Sequence, residues 1–181
     1  MEITANSNKN EKYENFVKYI IDLYKRDKKA EVDLKKGDNK NLSYKSWQYL
    51  IKFNIDIEKD RDRIIYGLIA TNIVKNKLDK DGKDSIGLAL FKCYESKNQD
   101  NKKDNKGEAK LMRLLACDNY NELCQVLKYY LPFIEEKAKG MLSYSVLLQD
   151  ILYFNEKTKA KWASDFFKKV KKEDENDTDA N

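Results

Sequence analysis

The chain contains no histidine. Triad chemistry and any imidazole general base are therefore excluded. Its three cysteines, Cys93, Cys117 and Cys124, make no CxxC pair. Without histidine, the usual Cys/His zinc sites then have no ligand set to draw on. One proline and six glycines are too little punctuation for an all-β fold. No Gly-rich phosphate loop is present. The carboxylates are dispersed, whereas a two-metal nuclease needs them convergent. No apolar run approaches the ~18 residues of a membrane span. The start, MEITANSNKN, is unlike a signal peptide. The expectation is a soluble, cytoplasmic, reduced protein that is not an enzyme and has no membrane contact, metal or cofactor.

What remains is a charged helical chain. Its 181 residues fit one domain or two small bundles sharing a core. Apolar residues make up 41%, enough for a real interior, and charged residues 37%. The formal net charge of +5 is unevenly spread. From Glu173 onward come five acids (Glu173, Asp174, Glu175, Asp177, Asp179) and no base. Taking those five from 31 acids leaves 26 against 36 bases, so residues 1–172 carry +10. Such a balance suits a polyanionic partner. A Lys- and Asn-rich composition set by the base bias of a genome gives the same excess.

Helical periodicity recurs along the chain. Phe16, Tyr19, Ile20, Leu23 and Tyr24 mark a first helix, and Trp47, Leu50 and Ile51 a short second one. Ile64, Ile65, Leu68, Ile69, Ile73 and Val74 mark a longer third. Asp84 or Ser85 can cap a fourth that carries Ile86, Ala89, Leu90 and Cys93. Residues 96–107, SKNQDNKKDNKG, hold no hydrophobic residue and read as a flexible polar loop. After it, Asn119 with Glu122 resembles a capping box, and Leu123, Val126, Leu127 and Tyr130 give the inner stripe. Pro132 should bend or restart that helix, and Gly140 can close it in a left-handed cap. Ser143 and Asn155 are the next N-caps, with Leu142 and Leu147 placed as a hydrophobic staple. The expected fold is all-α: a helical bundle over 11–95 and another over 108–172, joined by the 96–107 loop. Disordered tails at 1–10 and 173–181 complete it.

The last helix concentrates charge. Lys157, Lys161, Lys168 and Lys172 fall within about 60° of one another, with Trp162, Phe166, Phe167 and Val170 on the opposite half. That places a row of ammonium groups in water above an apolar face, at a spacing near that of neighbouring phosphates. An ordinary amphipathic helix with a solvated basic face has the same pattern. Lys110 and Arg113 stand one turn apart, free for phosphate or paired with Glu108 or Asp118. Lys35 and Lys36, before Gly37, sit where a helix ends and complement its dipole as readily as they bind a partner. Tyr129, Tyr130, Tyr144 and Tyr153 lie among basic segments. Each can stack on an unpaired base or serve as core with its hydroxyl at the rim.

Six short blocks then occur in order. They are Leu34-Lys35-Lys36-Gly37; Trp47-Gln48-Tyr49-Leu50; and Ser85-Ile86-Gly87-Leu88-Ala89-Leu90. There follow Glu108, Lys110, Arg113-Leu114-Leu115 and Asp118; Leu147-Leu148-Gln149-Asp150-Ile151-Leu152; and Trp162, Asp165 and Phe166. From Ala30 to Phe167 this order resembles the CasB family, the small subunit of the type I-E CRISPR Cascade surveillance complex. The resemblance implies two helical bundles and a non-catalytic scaffold, usually present as two copies arranged head to tail. The implied partners are crRNA, target and non-target DNA, and the large and backbone subunits. The implied role is to stabilise the R-loop in antiviral defence. Carried over by position, the nucleic-acid-binding residues are Lys35, Lys36, Lys110, Arg113, Lys128, Lys157, Lys159 and Lys161, with Lys168 joining from the last-helix row. A helical protein–protein adaptor with a basic face is the alternative. The acidic tail is hypothesised to compete for the basic face. Deleting residues 173–181 should raise affinity for DNA at low salt, and an unchanged affinity would refute that competition.

Overall fold

The computed structural model describes the backbone of residues 3–95 and 106–178, and within it the side chains of residues 10–94 and 106–169. Nine helices occupy the described residues: α1 (Ile3–Arg26), α2 (Lys28–Leu34), α3 (Tyr44–Lys52), α4 (Asp60–Lys75), α5 (Ile86–Glu95), α6 (Lys106–Leu115), α7 (Tyr120–Lys137), α8 (Tyr144–Leu152) and α9 (Glu156–Thr178). The fold is all-α, as expected. One isolated bridge, Asp84 to Leu142, is the nearest approach to a strand among the described residues.

α4 is the central element. Ile65 through Val74 form an unbroken buried run, and a helix apolar around its whole circumference has to be surrounded. Helices α1, α2, α3, α7 and α8 all pack against it. The two polar residues in the run are satisfied. Thr71 Oγ1 donates to the Leu34 carbonyl at 2.8 Å and Asn72 Nδ2 to the Leu68 carbonyl at 2.9 Å. Gly37 follows α2 and touches α4 so closely that a Cβ there would stand 2.8 Å from Thr71 Oγ1. The buried apolar side chains form one continuous cluster, with Phe16 of α1, Ile69 of α4, Leu127 of α7, Leu148 of α8 and Trp162 of α9 among its members. Helices on both sides of segment 96–105 contribute to it.

A second set of contacts ties distant segments together. The Asp81 carboxylate accepts the Tyr144 and Ser145 backbone N–H groups at 2.6 and 3.1 Å, and the Ser145 hydroxyl at 2.5 Å. It thereby serves the orphan donors at the start of α8. Ser143, expected as the cap, also contributes, taking the Val146 N–H on its hydroxyl at 3.3 Å. Beside it, Asp84 N donates to the Met141 carbonyl and Ser143 N to the Asp84 carbonyl, each at 2.9 Å. On α9, the buried Trp162 donates its indole N–H to the buried Asp150 carboxylate on α8 at 2.7 Å. α5 reaches the same place because Gly87 has no side chain. A Cβ there would lie 2.1 Å from the Trp162 carbonyl oxygen.

Several expectations need correction. Residues 3–10, read as a disordered tail, have helical backbone in α1, and residues 173–178 continue α9. Once a packed helix is nucleated, each further residue adds a hydrogen bond at small cost, and neither stretch contains a breaker. Residues 1, 2 and 179–181 lie outside the described residues, as does most of the 96–107 loop. Residues 106 and 107, assigned to that loop, begin α6, with Gly107 buried. α7 runs through Pro132 without restarting. The proline is on the exposed side, where water is the natural partner for the carbonyl it frees. Asn119 and Asn155 cap α7 and α9 as expected. Gly140 adopts the left-handed conformation, φ 69°. Phe167, expected to face inward, is 37% exposed.

Replacing Asp150 by Ala would strand the buried Trp162 N–H. The expected cost is about 1–3 kcal/mol, measurable by chemical denaturation, with a smaller loss for Asp150→Asn, which keeps an acceptor. A denaturation midpoint unchanged in Asp150→Ala would show that the bond does not stabilise the fold.

Candidate nucleic-acid interface

Lys110 and Arg113 emerge from α6, whose Leu111 and Leu114 are buried. They have different surroundings. The Lys110 ammonium stands over two rings of α7, 4.6 Å from the centroid of Tyr130 and 5.1 Å from that of Phe133. A cation held over aromatic faces contributes about 0.5–2 kcal/mol, so Lys110 helps to hold α6 on α7. Neither Glu108 nor Asp118 pairs with it among the described residues. Arg113 is exposed, and no ion pair among the described residues engages its guanidinium.

Arg113 and Lys159 both act on Cys117. Burial pushes that thiol up and Glu122 adds to it, while the Arg113 and Lys159 charges pull it down. Arg113 at the end of α6 and Lys159 at the start of α9 belong to two helices that pack on each other. Lys159 is not free: its Nζ lies 3.0 Å from Glu156 and 5.5 Å from the Phe154 ring centroid. Burial also raises the Cys93 thiol to about 11 and the Cys124 thiol to about 12, so neither is a thiolate nucleophile. Among the described residues no three His, Cys, Asp or Glu side chains converge as metal ligands.

Lys128 lies elsewhere. It lines a cleft of about 300 Å³ between α7 and the segment after α2, together with Gly37, Lys40, Arg63 and Gln125. Ile64 and Leu68 contribute apolar wall. Asp38, the acid of the cleft, is held by Lys75 at 3.0 Å. Arg63 donates to the Ile57 carbonyl at 2.8 Å, pairs with Asp60, and lies 5.4 Å over the Trp47 ring. Lys40 and Lys128 have no ion pair among the described residues. Nothing local marks Lys40 or Arg63: Arg63 meets Lys128 through the packing of α4 on α7, and Lys40 through the segment after α2.

Lys35 and Lys36 end α2 beside this cleft. Lys35 is paired with Glu31 at 2.6 Å, and Lys28 approaches the same carboxylate at 2.5 Å. Lys36 is half-buried, with no ion pair among the described residues. The expected row of free ammonium groups on α9 is interrupted. Lys157 and Lys168 are exposed, but Lys161 sits 3.0 and 3.1 Å from the two Asp150 oxygens. The physical reason is that Asp150, buried to receive Trp162, needs a countercharge. The Lys172 side chain lies outside the described residues.

A family model described as CRISPR-associated protein Cse2 matches residues 30–167. The chain belongs to the Cse2/CasB family. It is thereby a CRISPR-associated protein of a Cascade subunit family. Two crystal structures share the fold. A Cse2-family CRISPR-associated protein from Thermus thermophilus is 17% identical with a TM-score of 0.66, over 86% of this chain and 97% of that one. CasB from M. ruber is 22% identical with a TM-score of 0.67, over 90% and 96%. No curated protein matches. In this Cse2-family chain no described helix is long and apolar enough to cross a membrane.

The Lys28 and Lys35 ammonium groups hold the Glu31 carboxyl at about 2, below its ordinary 4.5. Because the folded value is depressed, the stabilisation is fully present above pH 4.5 and is lost as pH falls through about 2. An NMR titration should place Glu31 near 2, and Lys28→Ala with Lys35→Ala should return it towards 4.5. A value of 4.5 in the unaltered chain would remove the pair that restrains Lys35.

Proposed function

We propose that this chain is the non-catalytic small subunit of a type I-E Cascade complex. It holds crRNA, target DNA and the displaced strand by their phosphates and so stabilises the R-loop. Its proposed protein partners are the large and backbone subunits, with two copies of the chain in each complex. The observation that carries the reading is a set of cations without acidic partners among the described residues, on packed helices: Arg113 on α6, Lys128 on α7, Lys157 and Lys168 on α9, with Lys36 after α2. Family membership supplies the context. Several prominent carboxylates are occupied in folding contacts: Asp81 caps α8, Asp84 pairs with Lys92, and Asp150 serves Trp162. That supports a scaffold rather than an enzyme.

The cations divide by role. Arg113 offers a planar fork for bidentate phosphate contact. Lys128, Lys157 and Lys168 offer point charges. Lys110, Lys159 and Lys161 are already engaged by rings or acids, and they hold helices in place before they touch any ligand.

Binding should be independent of sequence and steeply salt-dependent, since each neutralised phosphate releases condensed counterions. Arg113→Ala, Lys128→Ala and Lys157→Ala should each flatten the slope of log affinity against log salt by roughly 0.7–0.9, equally on all sequences. Lys161→Ala should lower the melting temperature and change that slope less. Altered base preference with an unchanged slope would overturn the mechanism. Partners retained after nuclease digestion, with no binding to single-stranded DNA, would point instead to a protein adaptor with a basic face.

A further inference from the structure

The fold sorts the four tyrosines that lie among basic segments. Tyr130 and Tyr144 are buried, and Tyr153 receives the Tyr13 hydroxyl at 3.4 Å. Tyr129 is 78% exposed, the most exposed of the large apolar side chains described. No hydrogen bond, ion pair or ring contact engages it among the described residues.

Its position on α7 follows from helix geometry. Gln125 and Lys128 line the 300 Å³ cleft. Tyr129 is four residues beyond Gln125, and so one turn along the same face. It is about 100° around the helix from Lys128. The ring is not part of the cleft wall; it stands on the solvent-facing side of α7 next to Gln125, on the other side of that residue from Lys128. Lys40 and Lys128 line the cleft without acidic partners among the described residues, and the local acid, Asp38, is neutralised by Lys75. A positively charged cleft beside a solvated aromatic face complements a group that is anionic at one end and flat at the other.

We infer that the cleft and Tyr129 together hold one unpaired nucleotide of a single strand, its phosphates against Lys40 and Lys128 and its base stacked on the Tyr129 ring. This deepens the backbone-binding reading and rests on it. Backbone cations alone do not distinguish paired from unpaired strands, because both carry phosphates. A stacking ring does, since every base in a duplex already has both faces covered. Every base offers a π-face, so the contact selects single strands without selecting sequence.

The test compares three labelled ligands by fluorescence anisotropy with the purified full chain: oligothymidylate, an abasic strand of equal length, and a duplex. The unaltered chain should prefer oligothymidylate to the abasic strand by roughly 5- to 150-fold, the range for one stacked base. Tyr129→Ala should erase that preference and leave duplex affinity unchanged. Tyr129→Phe and Tyr129→Trp should retain it, and the introduced Trp fluorescence should be quenched by oligothymidylate. Lys128→Ala should weaken oligothymidylate and abasic strand by the same factor. If Tyr129→Ala keeps the preference while Lys128→Ala weakens both strands, stacking is wrong and the backbone reading stands. If the unaltered chain binds none of the three, both are wrong. If Tyr129→Ala binds every strand normally but no longer co-purifies with other Cascade subunits, the ring is a protein contact and the inference is overturned.

Discussion

A carboxylate taken out of water is costly unless its oxygens find donors and its charge a partner. Asp150 finds both, in the Trp162 indole and the Lys161 ammonium. The requirement ties α9 to α8 in the C-terminal half. The indole N–H joins α9 to α8 through the carboxylate, and only a glycine at position 87 lets α5 close on the Trp162 backbone. The motif residues Gly87, Asp150 and Trp162, far apart in the chain, are thus parts of one contact. The directions in which Lys157 and Lys168 point are inherited from it.

Charge in this protein does two kinds of work. One set of lysines is consumed by the fold: Lys35 by Glu31, Lys75 by Asp38, Lys92 by Asp84, Lys161 by Asp150, and Lys110 by two aromatic rings. The other set has no acid within reach among the described residues. Net charge does not separate them; burial and partners do. Exposed ion pairs contribute little to stability in water. Their main effect here is to hold cationic side chains down and leave fewer, better-defined positive positions on the surface.

Much of the fold was legible because local signals agreed with each other. The apolar run of α4, the Asn119–Glu122 box, and the Ser143 and Asn155 caps each state a boundary within a few residues. What was not legible depends on distance. The Asp27 cap that separates α2 from α1 is local, but the continuous helical pattern around it conceals it. Asp81 as a cap for α8, Arg63 and Lys40 beside Lys128, and Lys110 beneath aromatic rings all require tertiary packing. Lys161 shows the limit of periodicity: the helical wheel places it in a solvated row, whereas its partner belongs to a different helix. Phe167 makes the same point from the apolar side. It lies near the edge of the α9 stripe, against the Phe166 ring but partly in solvent.

The Asp81 clasp has a further consequence. The carboxylate lies 63 residues ahead of Tyr144, and both must be ordered before their hydrogen bond exists. Contacts of such long sequence separation defer their reward until late in folding and slow the search. During synthesis Asp81 is made first and waits for α8. Were the backbone severed within 96–105, one fragment would carry an anion without its donors and the other a helix end whose Tyr144 and Ser145 N–H groups lack their acceptor. Each would complete the other, which is the condition for reassembly of a cleaved chain from its two fragments.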